Sequence, residues 1–62
     1  MMKKYISKPD QWFDAGTEAK LIAPCTETWG IFEGIRNGKI DEEDCGFDEF
    51  DIIDVPDESN NS

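Results

Sequence analysis

Thr26-Glu27-Thr28-Trp29-Gly30-Ile31-Phe32-Glu33-Gly34-Ile35-Arg36, followed at once by Asn37-Gly38 and then Lys39-Ile40, is the stretch from which the rest of the chain can be read. Within it Trp29, Ile31, Glu33 and Ile35 alternate with Gly30, Phe32 and Gly34. This period of two puts the two sets on opposite faces of a strand. Asn37-Gly38 between Ile35 and Ile40 suits a two-residue type I′ hairpin, whose central residues both need positive φ. The strand over 26–36 is therefore expected to turn at 37–38 and return from Lys39 towards Cys45. Two glycines on one strand face signal sharp curvature or close backbone approach, as at the corner of a small barrel.

On the N-terminal side, Lys4 to Lys8 reads as a first strand halted by Pro9-Asp10, and Gln11-Trp12-Phe13 leads into a turn at Asp14-Ala15-Gly16. Thr17 to Ile22 alternates again, with Thr17, Ala19 and Leu21 on one face and Glu18, Lys20 and Ile22 on the other, until Pro24 ends it. On the C-terminal side, Phe47 and Phe50 lie three apart after Gly46, the spacing of one helical or 3-10 turn. Asp51 to Val55 reads as a last short strand closed by Pro56. Residues 1–56 thus form a single small β domain, and the polar 57–62 reads as a frayed tail.

The expected fold is all-β: four to five short strands with one 3-10 or helical turn before the last, resembling a small SH3-like barrel. Curling the sheet into a barrel also removes exposed edges in a chain with few residues to spare. The alternative, a ββα arrangement with a helix over Glu42 to Ile53, would align Phe47, Phe50 and Ile53. Gly46 and the crowd of carboxylates oppose it.

The chain has 62 residues, which sustains one thin core; a domain this short buries only about 60% of its unfolded surface. No apolar run approaches the roughly 20 residues of a membrane-spanning helix. Met1-Met2-Lys3-Lys4 has charge but no apolar stretch behind it, so it does not read as a secretory signal. The expected location is the cytoplasm, that of a host cell if a phage encodes the chain. Net charge is −9, and its distribution is lopsided. Asp10, Asp14, Glu18 and Glu27 are balanced by Lys3, Lys4, Lys8 and Lys20, whereas beyond residue 31 eleven acids face only Arg36 and Lys39. Such a surface repels phosphate backbones and attracts cationic ones, so nucleic acid is not an expected direct partner and a basic protein is.

Cys25 and Cys45 are the only cysteines and there is no histidine. A closed zinc site wants four such ligands, and a cysteine nucleophile wants a base beside it. Both thiols are therefore read as reduced, buried and structural. Asn37 to Asp44 resembles the second half of an EF-hand loop, but projected back its first and third ligands would be Glu33 and Ile35, and an isoleucine cannot coordinate calcium. Neither metal nor cofactor is expected. The many carboxylates lack a cleft that could hold two of them at a fixed separation, so no catalytic residue and no enzyme activity are assigned. The aromatic residues Trp12, Phe13, Trp29, Phe32, Phe47, Phe50 and Tyr5 must mostly fill the core, the tryptophans included. An indole left exposed among acids would instead anchor a protein partner.

Three blocks, Trp12 to Ile22, Gly30 to Ile35 and Cys45 to Phe50, make up about half of the chain and are similar to those of small acidic accessory proteins encoded by bacteriophages and other mobile elements. The resemblance implies a viral protein with an anti-defence role, as an inhibitor or as a sponge for signalling nucleotides; it assigns no functional residue. The leading expectation is a non-catalytic interaction protein, a possible nucleic-acid mimic. It would present Asp41, Glu42, Glu43, Asp44, Asp48, Glu49, Asp51 and Asp54, with Trp29, to a basic site of a host protein such as a nucleic-acid enzyme. A second is a homo-oligomeric barrel binding a nucleotide through Arg36, Lys39 and Lys20 with a tryptophan on the base. A third is a structural accessory role in phage particle assembly.

Overall fold

The structure is a computed structural model that describes residues 2–56. Five antiparallel strands, β1 (Met2–Ser7), β2 (Glu18–Pro24), β3 (Trp29–Arg36), β4 (Lys39–Gly46) and β5 (Phe50–Val55), form one sheet in the order β4-β3-β2-β1-β5. A 3-10 turn over Phe47–Glu49 precedes β5. Nothing over 42–53 is α-helical, so the ββα alternative is excluded. The expected 57–62 tail lies outside the described residues. No helix among those described is long and apolar enough to cross a membrane.

Alternation decides what each strand buries. Gly30, Phe32 and Gly34 of β3 are buried, while Trp29, Ile31, Glu33 and Ile35 lie on the more open face. Phe32 is fully enclosed, and around it stand Phe13, Ala19, Cys45 and Phe50, with Tyr5, Leu21 and Phe47 partly buried against them. β4 and β5 end the strand order yet supply Cys45 and Phe50 to the same cluster, so the sheet is curled around it. Phe32 packs 4.4 Å centroid to centroid from Phe50 and edge-on to Tyr5 at 5.2 Å, arrangements that favour aromatic pairs beyond their apolar area.

The hairpin turn takes the expected form: Asn37 and Gly38 have φ of 54° and 79°, and β4 returns in register with Arg36 opposite Lys39 and Ile35 opposite Ile40. β3 begins at Trp29 rather than Thr26, because Thr26 Oγ1 accepts hydrogen bonds from the backbone N–H groups of Thr28 and Trp29 and so holds 26–28 as a turn. β2 carries an irregularity between Leu21 and Ala23, and Ile22 lies on its exposed face with Glu18 and Lys20.

The segment between β1 and β2 is tied down at both ends and in the middle. Ser7 N–H donates to Thr17 O, Gly16 N–H to Ser7 O and the buried Ser7 hydroxyl to Phe13 O. Asp14 N–H reaches Ile35 O at 2.7 Å, docking the segment on β3. Phe13 then lies across Gly34: a Cβ there would stand 2.9 Å from two ring atoms. The second glycine of the β3 face is thus needed for close approach of an aromatic ring.

Two expectations are corrected. Neither tryptophan is core; Trp12 and Trp29 are both 37% exposed. Trp12 precedes the buried Phe13, and Trp29 lies on the face of β3 opposite Phe32. Cys25 is exposed too, just past the end of β2, and only Cys45 is buried. Both thiols are free.

Candidate interaction surface

The acids named from the sequence fall into three settings. On β4, Glu42 and Asp44 are exposed, while Asp41 and Glu43 are half-buried on the face that carries Cys45. Register places Glu42 directly opposite Glu33, a like-charge pair that costs stability, and Asp44 opposite Ile31. At the 3-10 turn Asp48 is exposed, whereas Glu49 is half-buried and its carboxylate accepts the Gly46 N–H at 3.0 Å. On β5, at the other end of the strand order, Asp51 lies opposite Ile6, and Asp54 opposite Lys3 forms a 2.8 Å ion pair. That carboxylate raises the Lys3 pKa, first by hydrogen bonding and then by its charge. It is the one ion pair among the described residues.

Trp29 belongs with the second half of β4. It stands opposite Gly46, so Asp44 is its diagonal neighbour across the ladder, within reach of a large side chain. The Phe47 N–H bonds Thr28 O at 2.9 Å, fixing the 3-10 turn beside the start of β3. Trp29, Asp44 and Asp48 are thereby brought to one end of the β3–β4 pair. Asp51 and Asp54 are not part of that group.

The structure also forms a cluster that the sequence reading did not identify. Trp12 Nε1–H donates to Asp41 Oδ2 at 2.7 Å, and the Arg36 guanidinium carbon lies 3.5 Å from the Trp12 ring centroid, a cation–π contact. Asp41 is thus engaged by an indole. Beneath it the Asp14 carboxylate accepts the N–H groups of Asn37 and Gly38 at 2.9 and 3.0 Å. Those two bonds lower its pKa, with a smaller contribution from Arg36, against a burial effect in the opposite direction. No periodicity links residues 12 and 14 to 36–41; only the docking of the β1–β2 segment does. Of the three cations grouped from the sequence, Arg36 and Lys39 line a cleft with Trp12, while Lys20 sits on β2 opposite Glu33 and lines a separate one.

The buried thiol is not a reactive one. Burial, followed by the charge and hydrogen bond of Glu49 and the charges of Glu43 and Asp44, pushes the Cys45 thiol up to about 12, so it stays protonated and is a poor nucleophile. Among the described residues no three acidic, cysteine or histidine side chains converge as metal ligands would. Comparison with protein-family models, curated proteins and solved structures finds no match to this chain.

Proposed function

We propose that this chain is a non-catalytic interaction protein that sets the acidic edge of β4 and the adjoining 3-10 turn, with Trp29, against a basic site of another protein. The supporting observation is the juxtaposition of Trp29 with Asp44 and Asp48, alongside Glu42: exposed carboxylates without a cationic partner among the described residues, next to an exposed indole. Aromatic anchors surrounded by polar groups dominate protein interfaces, and a field of one sign speeds encounter with its opposite. The resemblance to mobile-element accessory proteins directs the choice of partner towards a basic host enzyme that handles nucleic acid, which the chain would inhibit by occupying its cationic groove.

The reading is tested by capture from bacterial lysate at low and high salt, using the natural chain, a β4-side variant (Glu42→Gln, Asp44→Asn, Asp48→Asn) and a β5 variant (Asp51→Asn, Asp54→Asn). A basic protein is expected at low salt and lost at high salt. With that protein purified, the β4-side variant is expected to associate about tenfold more slowly or worse, and the β5 variant at the natural rate. Capture indifferent to salt, absent altogether, or weakened equally by both variants overturns the proposal.

A further inference from the structure

In a chain of net charge −9, the two cations of the C-terminal half are placed side by side. Arg36 and Lys39 flank the Asn37-Gly38 turn as a cross-strand pair. They line an open cleft of about 580 Å³ together with Trp12, Asn37, Ile40 and Asp41. Two cations at facing positions on a surface repel weakly in water, and an anion between them relieves that repulsion. The compensation within the chain is partial. Trp12 offers its ring face to Arg36 at 3.5 Å, but an aromatic face supplies no hydrogen-bond acceptor for the guanidinium fork. Among the described residues no carboxylate pairs with Arg36 or Lys39, and no acceptor takes a hydrogen bond from either side chain.

The nearby carboxylates have other partners. Asp14 holds the two turn N–H groups, and Asp41 holds the Trp12 indole N–H. These same bonds fix the walls: Trp12 is locked by its only donor and by the buried Phe13 beside it, and the turn is clamped from below. A preorganised fork loses little freedom on binding. At the lip stands Ile40, at 72% the most exposed of the large apolar side chains among the described residues. Cation pair, indole and bare isoleucine together fit an oxyanion attached to an apolar body.

We propose that this cleft binds a carboxylate carried by a peptide, with Arg36 and Lys39 meeting the carboxylate and Trp12 and Ile40 covering an adjoining apolar side chain. The overall charge selects the anion. A carboxylate brings a single negative charge into a molecule already strongly negative, whereas a phosphate monoester brings about −1.5 to −2 at neutral pH. Carboxylate and phosphate both match the guanidinium fork bidentately, so charge and not shape decides between them. The site is separate from the Trp29 end of β4 and stands or falls independently of it.

Two-dimensional NMR tests the proposal on the full chain, since the indole N–H of Trp12 reports the cleft and that of Trp29 serves as an internal control. The probes are an acetylated Ala-Leu dipeptide as free acid, the same dipeptide amidated, an amidated peptide with Asp before Leu, and phenyl phosphate. Saturable movement of the Trp12 resonance is expected with the free acid, the Asp peptide or both, which distinguishes a chain-terminal from a side-chain carboxylate. The neutral amide is expected to bind about tenfold more weakly or worse, the loss that one charge-assisted contact represents. Arg36→Gln is expected to cause a similar loss. Lys39→Gln, which leaves the Trp12 stack intact, is expected to cause a smaller but measurable one. The proposal is overturned if no carboxylate peptide saturates, if the amide binds equally well, if phenyl phosphate binds more tightly, or if both variants that melt like the natural chain retain its affinity.

Discussion

The two edge strands carry similar composition to different ends. β5 has Asp51 and Asp54 interleaved with the exposed Ile52 and Ile53, and its neighbour β1 supplies Lys3 and Lys4; Lys3 pairs with Asp54. That edge is close to electrical balance. β4 has Asp41, Glu42, Glu43 and Asp44 in succession, its neighbour β3 adds Glu33, and the two bases, Arg36 and Lys39, sit together at the turn end of the pair. Negative charge on an edge protects it from pairing with another chain. The contrast teaches that net charge is a poor guide to a charged surface. What counts is which strand lies alongside, and here the sheet order sets Lys3 and Lys4 beside β5, whereas the far half of β4, from Glu42 to Asp44, faces no base across the ladder.

The largest expected change in this contrast comes from the β4 side of the core. Gly34→Ala sets a Cβ against the Phe13 ring face at 2.9 Å, and overpacking of this kind destabilises by about 1–3 kcal/mol. Urea unfolding is expected to show it as a lower midpoint, and an unchanged midpoint would mean that the β1–β2 segment does not dock on β3. A smaller effect is expected from pH. The Asp14 carboxyl is held below its ordinary value of 3.8, so its contribution is present above 3.8 and lost as pH falls through the lowered value. Asp14→Ala is expected to be less stable than the natural chain at neutral pH and to approach it in acid. Exchange of the Asn37 and Gly38 amide protons would locate the effect, and a pH-independent difference would contradict the assignment. The smallest effect belongs to the other edge: Ile53→Thr, an exposed substitution on β5, is expected to change stability by no more than about 0.5 kcal/mol in the same urea experiment. A larger loss would show that the Ile53 side chain packs against more than β1.

Most of the fold was legible because it rests on local rules. Alternation in Gly30 to Ile35, the positive-φ demand of Asn37-Gly38 and the three-residue spacing of Phe47 and Phe50 each act within a few residues, and each is realised. What escaped was non-local. Bulk suggested that both tryptophans were core, but the ring that lies on Gly34 is that of Phe13, and its neighbour Trp12 is on the outside. Adjacency in sequence suggested one continuous acidic face. Strand alternation turns Glu42 and Asp44 away from Asp41 and Glu43, and strand order carries Asp51 and Asp54 to the far edge. The Trp12, Arg36 and Asp41 cluster had no signal of its own, since a long connection must fold back before those residues meet.

The pairing of β1 with β5 bears on how the chain acquires this form. Lys3 and Asp54 lie 51 positions apart, and β1 matches β5 along its whole length but meets β2 only at Tyr5 and Ile6. During synthesis the opening strand can therefore hold only its Ser7 end, through Phe13 to Ala19, and the Tyr5 contact with Phe32 until the fiftieth residue and those after it emerge. Contacts so distant along the polymer close slowly. Folding should accordingly begin in the β3–β4 hairpin, with the first strand among the last pieces to settle, and a chain cut short before Phe50 should leave its beginning a ready target for proteolysis.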